Sequence, residues 1–348
     1  MCPVTTPGEP DACPAGALHR RGSRLPSLLR CPSRGHLGAA CAAGITALAV
    51  LVVLAVVTHG GGGLQDAGAA GSASEQPSLP WPAEGQTSVS VEGFGARGDL
   101  GSRGGRTPVP VASVTKVMTA YVVLRDHPLG AHEPGPDITV DQRAADESVS
   151  GVESTARVDA GRRLSERKLL ELMLIPSGNN VARLLARWDA GSEEAFAAKM
   201  NRAARGLGMR DTVYTDASGI GPTNTSTSGD QLKLARQVMR DAAFRSVVAM
   251  PSTTVPGVPG SITNTDTLLG EDGVIGLKTG SSTPAGGNLM WAAKAPDRDG
   301  HERLVLGVVL HQRAGTDPRQ GLDAAVEAGR SLVEGVRRWV ATAVPGKR

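Results

Sequence analysis

A long uncharged apolar run near the start of the chain separates two stretches of very different sequence. The run LGAACAAGITALAVLVVLAVVT occupies residues 37–58 and contains no Asp, Glu, Lys or Arg. About 20 apolar residues are enough to cross the hydrocarbon core of a bilayer as an α-helix. The sequence therefore predicts a transmembrane helix at residues 37–58, which would place the lipid bilayer between residues 1–36 and the rest of the chain.

The charges around this run indicate which side of the membrane each part occupies. No Lys or Arg follows the run until Arg97, whereas five arginines precede it, namely Arg20, Arg21, Arg24, Arg30 and Arg34. Positive residues stay on the cytoplasmic side, so we expect a single-pass protein of the cell membrane with residues 1–36 in the cytoplasm. The alternative is a cleaved signal peptide, whose apolar core is about 7–15 residues long with small residues close behind. The run is longer, so we favour a retained anchor.

The remainder of the chain divides into a linker and one globular domain. Residues 59–85 are rich in Gly, Ala, Ser and Pro without periodicity, which predicts a flexible linker. Residues 86–348 show the patterns of a globular domain. All four cysteines lie at or before Cys41, so this domain has no disulfide framework and no cysteine metal site. The net charge is only +3 and no basic stripe is interleaved with aromatics, so the sequence predicts no nucleic-acid partner.

The periodicity of residues 86–348 changes from helical to alternating along the chain. Alternation predicts strands, and a 3.6-residue period predicts helices. The predicted strands are 87–95, 274–280, 288–295 and 303–311, and the predicted helices are 113–127, 164–175, 180–188, 192–208, 229–250 and 321–344. This order predicts an α/β (α+β) domain. We expect an antiparallel sheet flanked by helices, with a helical subdomain between residues 130 and 250.

One pair of residues at the start of the first predicted helix has the spacing of a reactive pair. In PVASVTKVMTAYVVL, Ser113 and Lys116 lie three residues apart and therefore on one helical face. The helix is apolar nearly all round, so Lys116 should be buried, and burial lowers the pKa of a lysine towards that of a useful general base. A serine at a helix N-terminus also gains from the local positive potential. Ser113 and Lys116 are thus candidates for a nucleophile and its base.

This spacing is a weak signal by itself, because a serine before a helix is often only an N-cap. Ser165 and Lys168 repeat the spacing at the start of an amphipathic helix, where we predict a cap and a solvated lysine. Ser113 as an ordinary cap therefore remains open on this motif alone. Lysine is scarce in this chain, with seven among 37 Lys and Arg residues. A position that must release a proton needs lysine, because arginine stays charged.

Two later segments supply further polar groups where elements end. Ser177 and Asn179 lie in the loop IPSGNN, either as a turn and N-cap or as a hydroxyl and an amide for a substrate. Lys278, Thr279 and Gly280 end a predicted strand, where a lysine and a threonine can bind a carboxylate. No Gly-rich loop leads from there into a helix, so nucleotide binding is discounted. The histidines show no metal-ligand spacing, so the sequence predicts no metal site.

Three motifs in a fixed order resemble those of the penicillin-recognising serine enzymes: Ser-x-x-Lys, Ser-x-Asn and Lys-Thr-Gly. ASVTKVMTA, LLELMLIPSGNN and GVIGLKTG are similar to the forms of the low-molecular-mass D-alanyl-D-alanine carboxypeptidases, peptidase family S11. Residues 208–235 resemble a fourth stretch of that family, although Gln231 precedes Leu232 here. The resemblance covers roughly residues 86–340. It implies the β-lactamase/transpeptidase-like fold and makes residues 86–348 a catalytic domain.

The resemblance implies a serine-type carboxypeptidase that removes terminal D-alanine from peptidoglycan stem peptides ending in D-Ala-D-Ala. It implies that Ser113 attacks the carbonyl between the two D-alanines, that Lys116 takes its proton and that Ser177 shuttles protons. Water then releases the shortened peptide from the acyl-enzyme, with no metal or organic cofactor. β-Lactam antibiotics would be covalent inhibitors that acylate Ser113.

The same resemblance implies which groups hold the substrate. Asn179 would hydrogen-bond the peptide, and Lys278 and Thr279, within the motif that ends at Gly280, would bind its terminal carboxylate. The backbone N–H groups of Ser113 and Ser281 would form the oxyanion hole, a pair of donors that stabilises the charge of the tetrahedral intermediate.

Two other functions share part of this pattern. A β-lactamase has the same three motifs, but its class A members place Glu-x-x-Leu-Asn after the second motif, and residues 180–277 contain none. A β-lactam sensor or a non-catalytic wall-binding module would also recognise these ligands. A sensor needs a cytoplasmic output domain, whereas residues 1–36 are few and rich in Pro and Arg. We therefore expect the carboxypeptidase.

Overall fold

A five-stranded antiparallel sheet forms the centre of the protein. The computed structural model describes residues 77–95 and 98–345. The strands of the sheet are β1 (Gln86–Val91), β2 (Asp99–Gly104), β9 (Val274–Ser282), β10 (Gly286–Pro296) and β11 (Glu302–Gln312). Their order is β2–β1–β11–β10–β9, and each neighbouring pair is antiparallel. Strand β9, which ends with the Lys-Thr-Gly motif, is therefore an edge of the sheet.

Helices cover both faces of this sheet, and short strand pairs connect them. The helices are α1 (Thr115–Asp126), α2 (Gln142–Glu147), α3 (Glu166–Leu174), α4 (Asn179–Ala190), α5 (Glu193–Gly206), α6 (Ser228–Val238), α7 (Ala242–Val248) and α8 (Pro318–Val340). The short pairs are β3 (Val109–Pro110) with β6 (Thr225–Ser226), β4 (Asp137–Thr139) with β5 (Arg163–Ser165), and β7 (Ser252–Thr253) with β8 (Ile262–Thr263). A helical subdomain thus interrupts the sheet in sequence, as predicted.

The sheet separates two hydrophobic cores, because successive side chains of a strand point to opposite faces. On β10, Leu289 and Trp291 pack in the core that contains α8. The alternate residues Met290 and Ala292 pack in the core of the helical subdomain. Gly307 of β11 makes room for the large indole, since a Cβ atom there would lie 2.1 Å from Trp291 Cε2. The alternation of β10 therefore fixes which helices lie on each face.

The predicted order of the main strands and helices is confirmed, although helix α2 and the short strands β3–β8 were not predicted and two further differences occur. The single helix predicted at residues 229–250 is wrong, because α6 ends at Val238 and α7 starts after Asp241. The Asp241 carboxylate accepts a hydrogen bond from the Phe244 N–H at 2.8 Å, which caps a new helix. Strand β2 was not predicted, because its sequence DLGSRG does not alternate and most of it is exposed on the sheet edge.

The Ser-x-x-Lys pair at Ser165 is a helix cap, as predicted. Its hydroxyl accepts a hydrogen bond from the Lys168 N–H at 3.2 Å at the start of α3. The lysine is not on a solvated turn, however. Its ammonium group contacts the Glu171 carboxylate and the Thr253 hydroxyl, and the side chain is largely buried. Structural hydrogen bonds account for both residues of this pair.

The predicted membrane anchor lies outside the described residues. This applies to the cytoplasmic segment at 1–36, the transmembrane helix at 37–58 and all but the last part of the linker at 59–85. Within residues 77–95 and 98–345, no helix combines the length and apolar character needed to cross a bilayer.

A buried carboxylate at the start of α3 destabilises the fold at neutral and alkaline pH. Glu166 has no exposed surface, and neither of its carboxylate oxygens has a hydrogen-bond partner among the described residues. Burial, helped by the nearby Asp189 and Glu133 charges, raises the pKa of Glu166 to about 7. A carboxyl whose pKa is higher in the folded state costs stability as pH rises from its unfolded value, near 4.3, through 7.

We expect Glu166→Gln to stabilise the protein at about pH 8, by about 1–2 kcal/mol. The amide cannot ionise, so the variant avoids the cost of a buried charge. Below about pH 4 the wild-type carboxyl is protonated in both states, and the advantage should disappear. Urea unfolding at both pH values measures the difference. An advantage of equal size at both values would contradict this account.

Candidate active site

Ser113 lies on a tight turn in front of α1 and is not its cap. The turn is a single 3₁₀ turn, Ala112–Val114, and Val114 is the N-cap of α1. Ala112 has a φ of 45°, in the left-handed region that an L-residue adopts only at a cost of about 1 kcal/mol or more. Ser113 is partly exposed, whereas both residues beside it are buried. The turn thus holds the hydroxyl of Ser113 at the surface of a buried segment.

Lys116 is fully buried one helical turn after Ser113. Its ammonium nitrogen, Nζ, lies 2.9 Å from Ser113 Oγ and 2.6 Å from the carbonyl oxygen of Ser218, and it also contacts Asn179 Oδ1. Burial lowers the pKa of Lys116 well below its usual value, and the positive charges of Lys278 and Arg183 act in the same direction. Burial thus favours the neutral amine, the form that can accept a proton.

The two carbonyl oxygens around Lys116 determine where its lone pair points. Asn179 Oδ1 and the Ser218 carbonyl can only accept hydrogen bonds. A neutral amine has two N–H groups, so donating one to each of these oxygens uses both. The lone pair is then left for the third neighbour, the hydroxyl of Ser113. This arrangement can remove the proton of Ser113 without any movement of the lysine.

Asn179 reaches this cluster at the end of a strained loop that also carries Ser177. Ser177 has a φ of 66°, and a Cβ atom on Gly178 would lie 2.7 Å from the Leu172 carbonyl oxygen, so the loop needs glycine there. Asn179 begins α4, and its amide oxygen meets Lys116. Ser177 Oγ is buried and has no hydrogen-bond partner among residues 77–95 and 98–345. Its hydroxyl is therefore available to a substrate or to a proton relay.

Strand β9 runs directly against the turn that carries Ser113. A Cβ atom on Gly280 would lie 2.8 Å from the Ser113 nitrogen and 2.9 Å from the Val114 nitrogen, so only glycine fits at this position. Ser281 follows on the same strand and pairs with Gly287 of β10. The backbone of β9 at Gly280 and Ser281 is thereby adjacent to the backbone N–H of Ser113.

Lys278 and Thr279 lie on β9 next to the half-buried hydroxyl of Thr265. Lys278 Nζ donates to the Thr279 carbonyl oxygen at 2.9 Å and lies 3.4 Å from Thr265 Oγ1, while Thr279 Oγ1 donates to the same Thr265 oxygen at 2.8 Å. Burial lowers the pKa of Lys278 to about 7, and the Asp266 charge opposes this. No hydrogen bond of the described residues joins Lys278 to Ser113. The lysine affects the Ser113 cluster through its charge, as its effect on the pKa of Lys116 shows.

Two residues that sequence reasoning did not select complete the surroundings of Lys116. Ser218 supplies a backbone carbonyl, held by the half-buried Asp216 carboxylate, which accepts hydrogen bonds from the N–H and hydroxyl of Ser218. Glu153 accepts a hydrogen bond from the side-chain amide of Asn179 at 2.7 Å. For Ser218 the signals were the turn-forming pattern Asp-Ala-Ser-Gly at residues 216–219 and its place in the stretch 208–235 that resembles the family, and neither indicated a contact with Lys116. Nothing in the sequence around Glu153 indicated a contact.

The amino-acid sequence of the chain is similar to that of several named enzymes. A family model described as D-alanyl-D-alanine carboxypeptidase matches residues 100–313. The D-alanyl-D-alanine carboxypeptidase of Streptomyces sp. strain K15 is 35% identical over 214 residues, which cover 57% of this chain and 71% of that protein. The D-alanyl-D-alanine carboxypeptidase DacD of Escherichia coli strain K12 is 32% identical, but the match covers 66% of this chain and only 56% of that protein.

The fold is also similar to that of a solved structure. The crystal structure of the Streptomyces K15 DD-transpeptidase superposes with a TM-score of 0.63 at 28% sequence identity. The superposition covers 74% of this chain and 98% of that one. Sequence and structure comparisons therefore agree on the same group of proteins.

Proposed function

The chain belongs to the D-alanyl-D-alanine carboxypeptidase family of serine peptidases, peptidase S11, with the fold of the penicillin-recognising enzymes, and from this premise we propose a specific reaction. The protein is a membrane-anchored carboxypeptidase that removes terminal D-alanine from peptidoglycan stem peptides through an acyl-enzyme on Ser113. One observation carries the proposal: Lys116 Nζ lies 2.9 Å from Ser113 Oγ while its other two partners are carbonyl oxygens.

Acylation follows from the direction of the lysine lone pair. Ser113 Oγ attacks the carbonyl carbon between the two D-alanines as Lys116 Nζ takes the hydroxyl proton. The peptide C–N bond then breaks, and the leaving amine of D-alanine takes that proton from Lys116, directly or through Ser177. In the second half, water attacks the ester, gives a proton to Lys116 and releases the shortened peptide. Ser113 regains its proton from Lys116, so the cycle leaves the enzyme unchanged.

The backbone N–H groups of Ser113 and Ser281 would bind the oxygen of the tetrahedral intermediate. The short distance between Gly280 and the Ser113 nitrogen supports this, because it brings the backbone of β9 next to the turn that carries Ser113. Each such donor stabilises the transition state by about 3–4 kcal/mol. A side chain at residue 280 would separate the two segments, so glycine is required by the chemistry as well as by packing.

The substrate would lie along the side of β9 that has no strand partner among the described residues. An extended peptide can pair with an edge strand, and the Lys278 and Thr279 side chains on that strand would bind its terminal carboxylate. Asn179 would hold the peptide next to Ser113. β-Lactam antibiotics present a strained amide to the same hydroxyl, so they would acylate Ser113 as covalent inhibitors. Residues 37–58 would anchor the enzyme in the cell membrane, with residues 59–85 as linker and residues 86–348 on the cell-wall side.

The direct test is release of D-alanine from an N-acylated L-Lys-D-Ala-D-Ala peptide by the full-length chain in detergent. The same peptide ending in L-alanine is the control, and we expect release only from the D-alanine peptide. No release by a folded protein that a fluorescent penicillin still labels would mean a different substrate. No release and no labelling would refute the proposal. Rapid turnover of the penicillin itself would favour a β-lactamase.

The pH dependence should report the two lysines separately. Lys116 must be neutral to act, so kcat/KM should rise with pH through its lowered pKa. Lys278 must be charged to bind the carboxylate, so kcat/KM should fall above about pH 7, where Lys278 loses its proton. kcat should fall less, because a bound carboxylate favours the charged lysine.

A substrate with a C-terminal amide in place of the carboxylate should lose the falling limb. Asp266→Asn should move that limb to lower pH, because the Asp266 charge raises the pKa of Lys278. Initial rates between about pH 5 and about pH 9 measure both. A falling limb that is identical for the acid and the amide substrate would contradict the role of Lys278.

A further inference from the structure

Among residues 77–95 and 98–345, Glu153 is the one carboxylate that hydrogen-bonds the side-chain amide of Asn179. It lies between α2 and β5, in a loop whose Ser154 carbonyl accepts the backbone N–H of Asn179 at 2.9 Å. Glu153 Oε2 accepts a hydrogen bond from Asn179 Nδ2 at 2.7 Å, and the other end of the amide, Oδ1, contacts Lys116. An ionised carboxylate can only accept hydrogen bonds. The NH2 group of Asn179 must therefore face Glu153, and its oxygen must face Lys116.

The orientation of this amide decides whether Lys116 can act as a base. With the oxygen towards Lys116, an N–H of the neutral amine is used and the lone pair faces Ser113. With the amide reversed, the NH2 group of Asn179 would face Lys116 and donate a hydrogen bond to the lone pair of its amine. That lone pair could then no longer accept the proton of the Ser113 hydroxyl. A group that fixes the amide thus fixes the direction of the base.

Glu153 is itself held by a buried arginine on α4. Arg183 Nη2 donates to Glu153 Oε1 at 2.7 Å, and Arg183 Nε donates to Glu147 Oε2 at 2.7 Å on its other side. Burial opposes ionisation of Glu153, but its hydrogen bonds with Arg183 and Asn179 hold its pKa below the usual range. The carboxylate therefore stays ionised, and so acceptor-only, at neutral pH.

We propose that Glu153 is a positioning residue for acyl transfer: it orients the Asn179 amide so that the lone pair of Lys116 points at Ser113. This rests on the proposed function. Glu153 touches neither Ser113 nor Lys116 through a hydrogen bond of the described residues, so it acts through Asn179. Glu147 offers a matched control, because it binds the same arginine and has no hydrogen bond with Asn179.

The informative variant is Glu153→Gln, because glutamine brings a donor into this position. Arg183 is charged and will bind the glutamine oxygen, which leaves the glutamine NH2 group facing the NH2 group of Asn179. The amide of Asn179 must then reverse or lose its partner. We expect kcat to fall about tenfold to a hundredfold. Glu147→Gln should stay within about twofold of the wild type, since a carboxylate is lost from the same arginine without any change at Asn179.

Glu153→Ala distinguishes orientation from packing. Alanine removes the acceptor and adds no donor, so it should be less harmful to kcat than the isosteric glutamine. A purely structural role predicts the opposite order, because glutamine preserves the volume. Thermal unfolding of all three variants shows that the proteins compared are folded.

The acid limb of kcat/KM provides a second readout. The Glu153 charge raises the pKa of Lys116, so Glu153→Gln and Glu153→Ala should both move that limb to lower pH. The other charges that act on Lys116, those of Lys278, Asp216 and Arg183, remain in every variant.

The outcomes separate the two proposals. If the wild type releases no D-alanine, the proposed function fails. If the wild type is active but Glu153→Gln matches Glu147→Gln in kcat and in its acid limb, only the inference about Glu153 is overturned. An alanine variant less active than the glutamine variant would overturn it as well. Should Glu153→Gln not fold, a kcat of Glu153→Ala equal to that of Glu147→Gln has the same meaning.

Discussion

Ser113→Ala should reduce D-alanine release to background, a loss of about 10⁶-fold in kcat if the serine acts with its base as a unit. Without the hydroxyl, no ester can form. The Lys116 amine would still face the site, but it would have no proton to remove. The same variant should show no covalent labelling by a fluorescent penicillin, because both reactions use one oxygen atom.

The chain supplies its own control for this experiment in Ser165→Ala. Ser165 has the same spacing to a lysine but only caps α3. Its loss should leave D-alanine release unchanged and reduce the free energy of unfolding by about 1 kcal/mol. Residual release by a folded Ser113→Ala protein at more than a few per cent of the wild-type rate would show that another group is the nucleophile.

The difference between these two serines could be predicted from the sequence because it depends on local pattern. The helix after Ser113 is apolar nearly all round, whereas the helix after Ser165 has charged residues on one face. That pattern predicted the burial of Lys116, and Lys116 has no exposed surface. The strands β9, β10 and β11 could be predicted for the same reason, since they carry long runs of apolar and alternating residues.

The rest of the site could not be predicted, because it depends on contacts between distant loops. The Ser218 carbonyl is a backbone group, and every residue has one, so no residue type marks it. Its position depends on Asp216 and on Gly219, where a Cβ atom would lie 1.9 Å from the Ala112 carbonyl oxygen. Glu153 meets Asn179 across 26 residues of sequence, and only the fold brings them together.

The helix predicted at residues 229–250 was divided for a local reason that the pattern concealed. The apolar period continues through the break, but Met239 and Arg240 form a turn and Asp241 caps a new helix. An aspartate can cap a new helix inside a stretch whose apolar period is unbroken. The periodicity therefore predicted correctly which of these residues are buried, but it did not predict where one helix ends and the next begins. The active-site residues lie outside this stretch.

Lys116→Arg should abolish activity although arginine is also a basic residue. Arginine remains protonated at any pH at which the protein is folded, so it cannot accept the proton of Ser113. We expect a loss of about 10³-fold or more in kcat, with no recovery as pH is raised. Arginine is also larger than the closed site around Lys116, so Lys116→Met, which is uncharged and unbranched, is the second variant. It should fold and be equally inactive, since it has no lone pair that can remove the proton.

This experiment also separates an enzyme from a wall-binding module. A module that only binds stem peptides does not need a base. In that case the wild type would release no D-alanine, and a folded Lys116→Met variant would keep its affinity for an N-acylated L-Lys-D-Ala-D-Ala peptide. The enzyme predicts release by the wild type that is lost in both variants. Lys168→Arg is the matched control, because Lys168 serves only structural contacts with Glu171 and Thr253. The activity of Lys168→Arg should equal that of the wild type. If Lys168→Arg lost as much activity as Lys116→Arg, the effect at Lys116 would come from disturbed packing and not from the missing base.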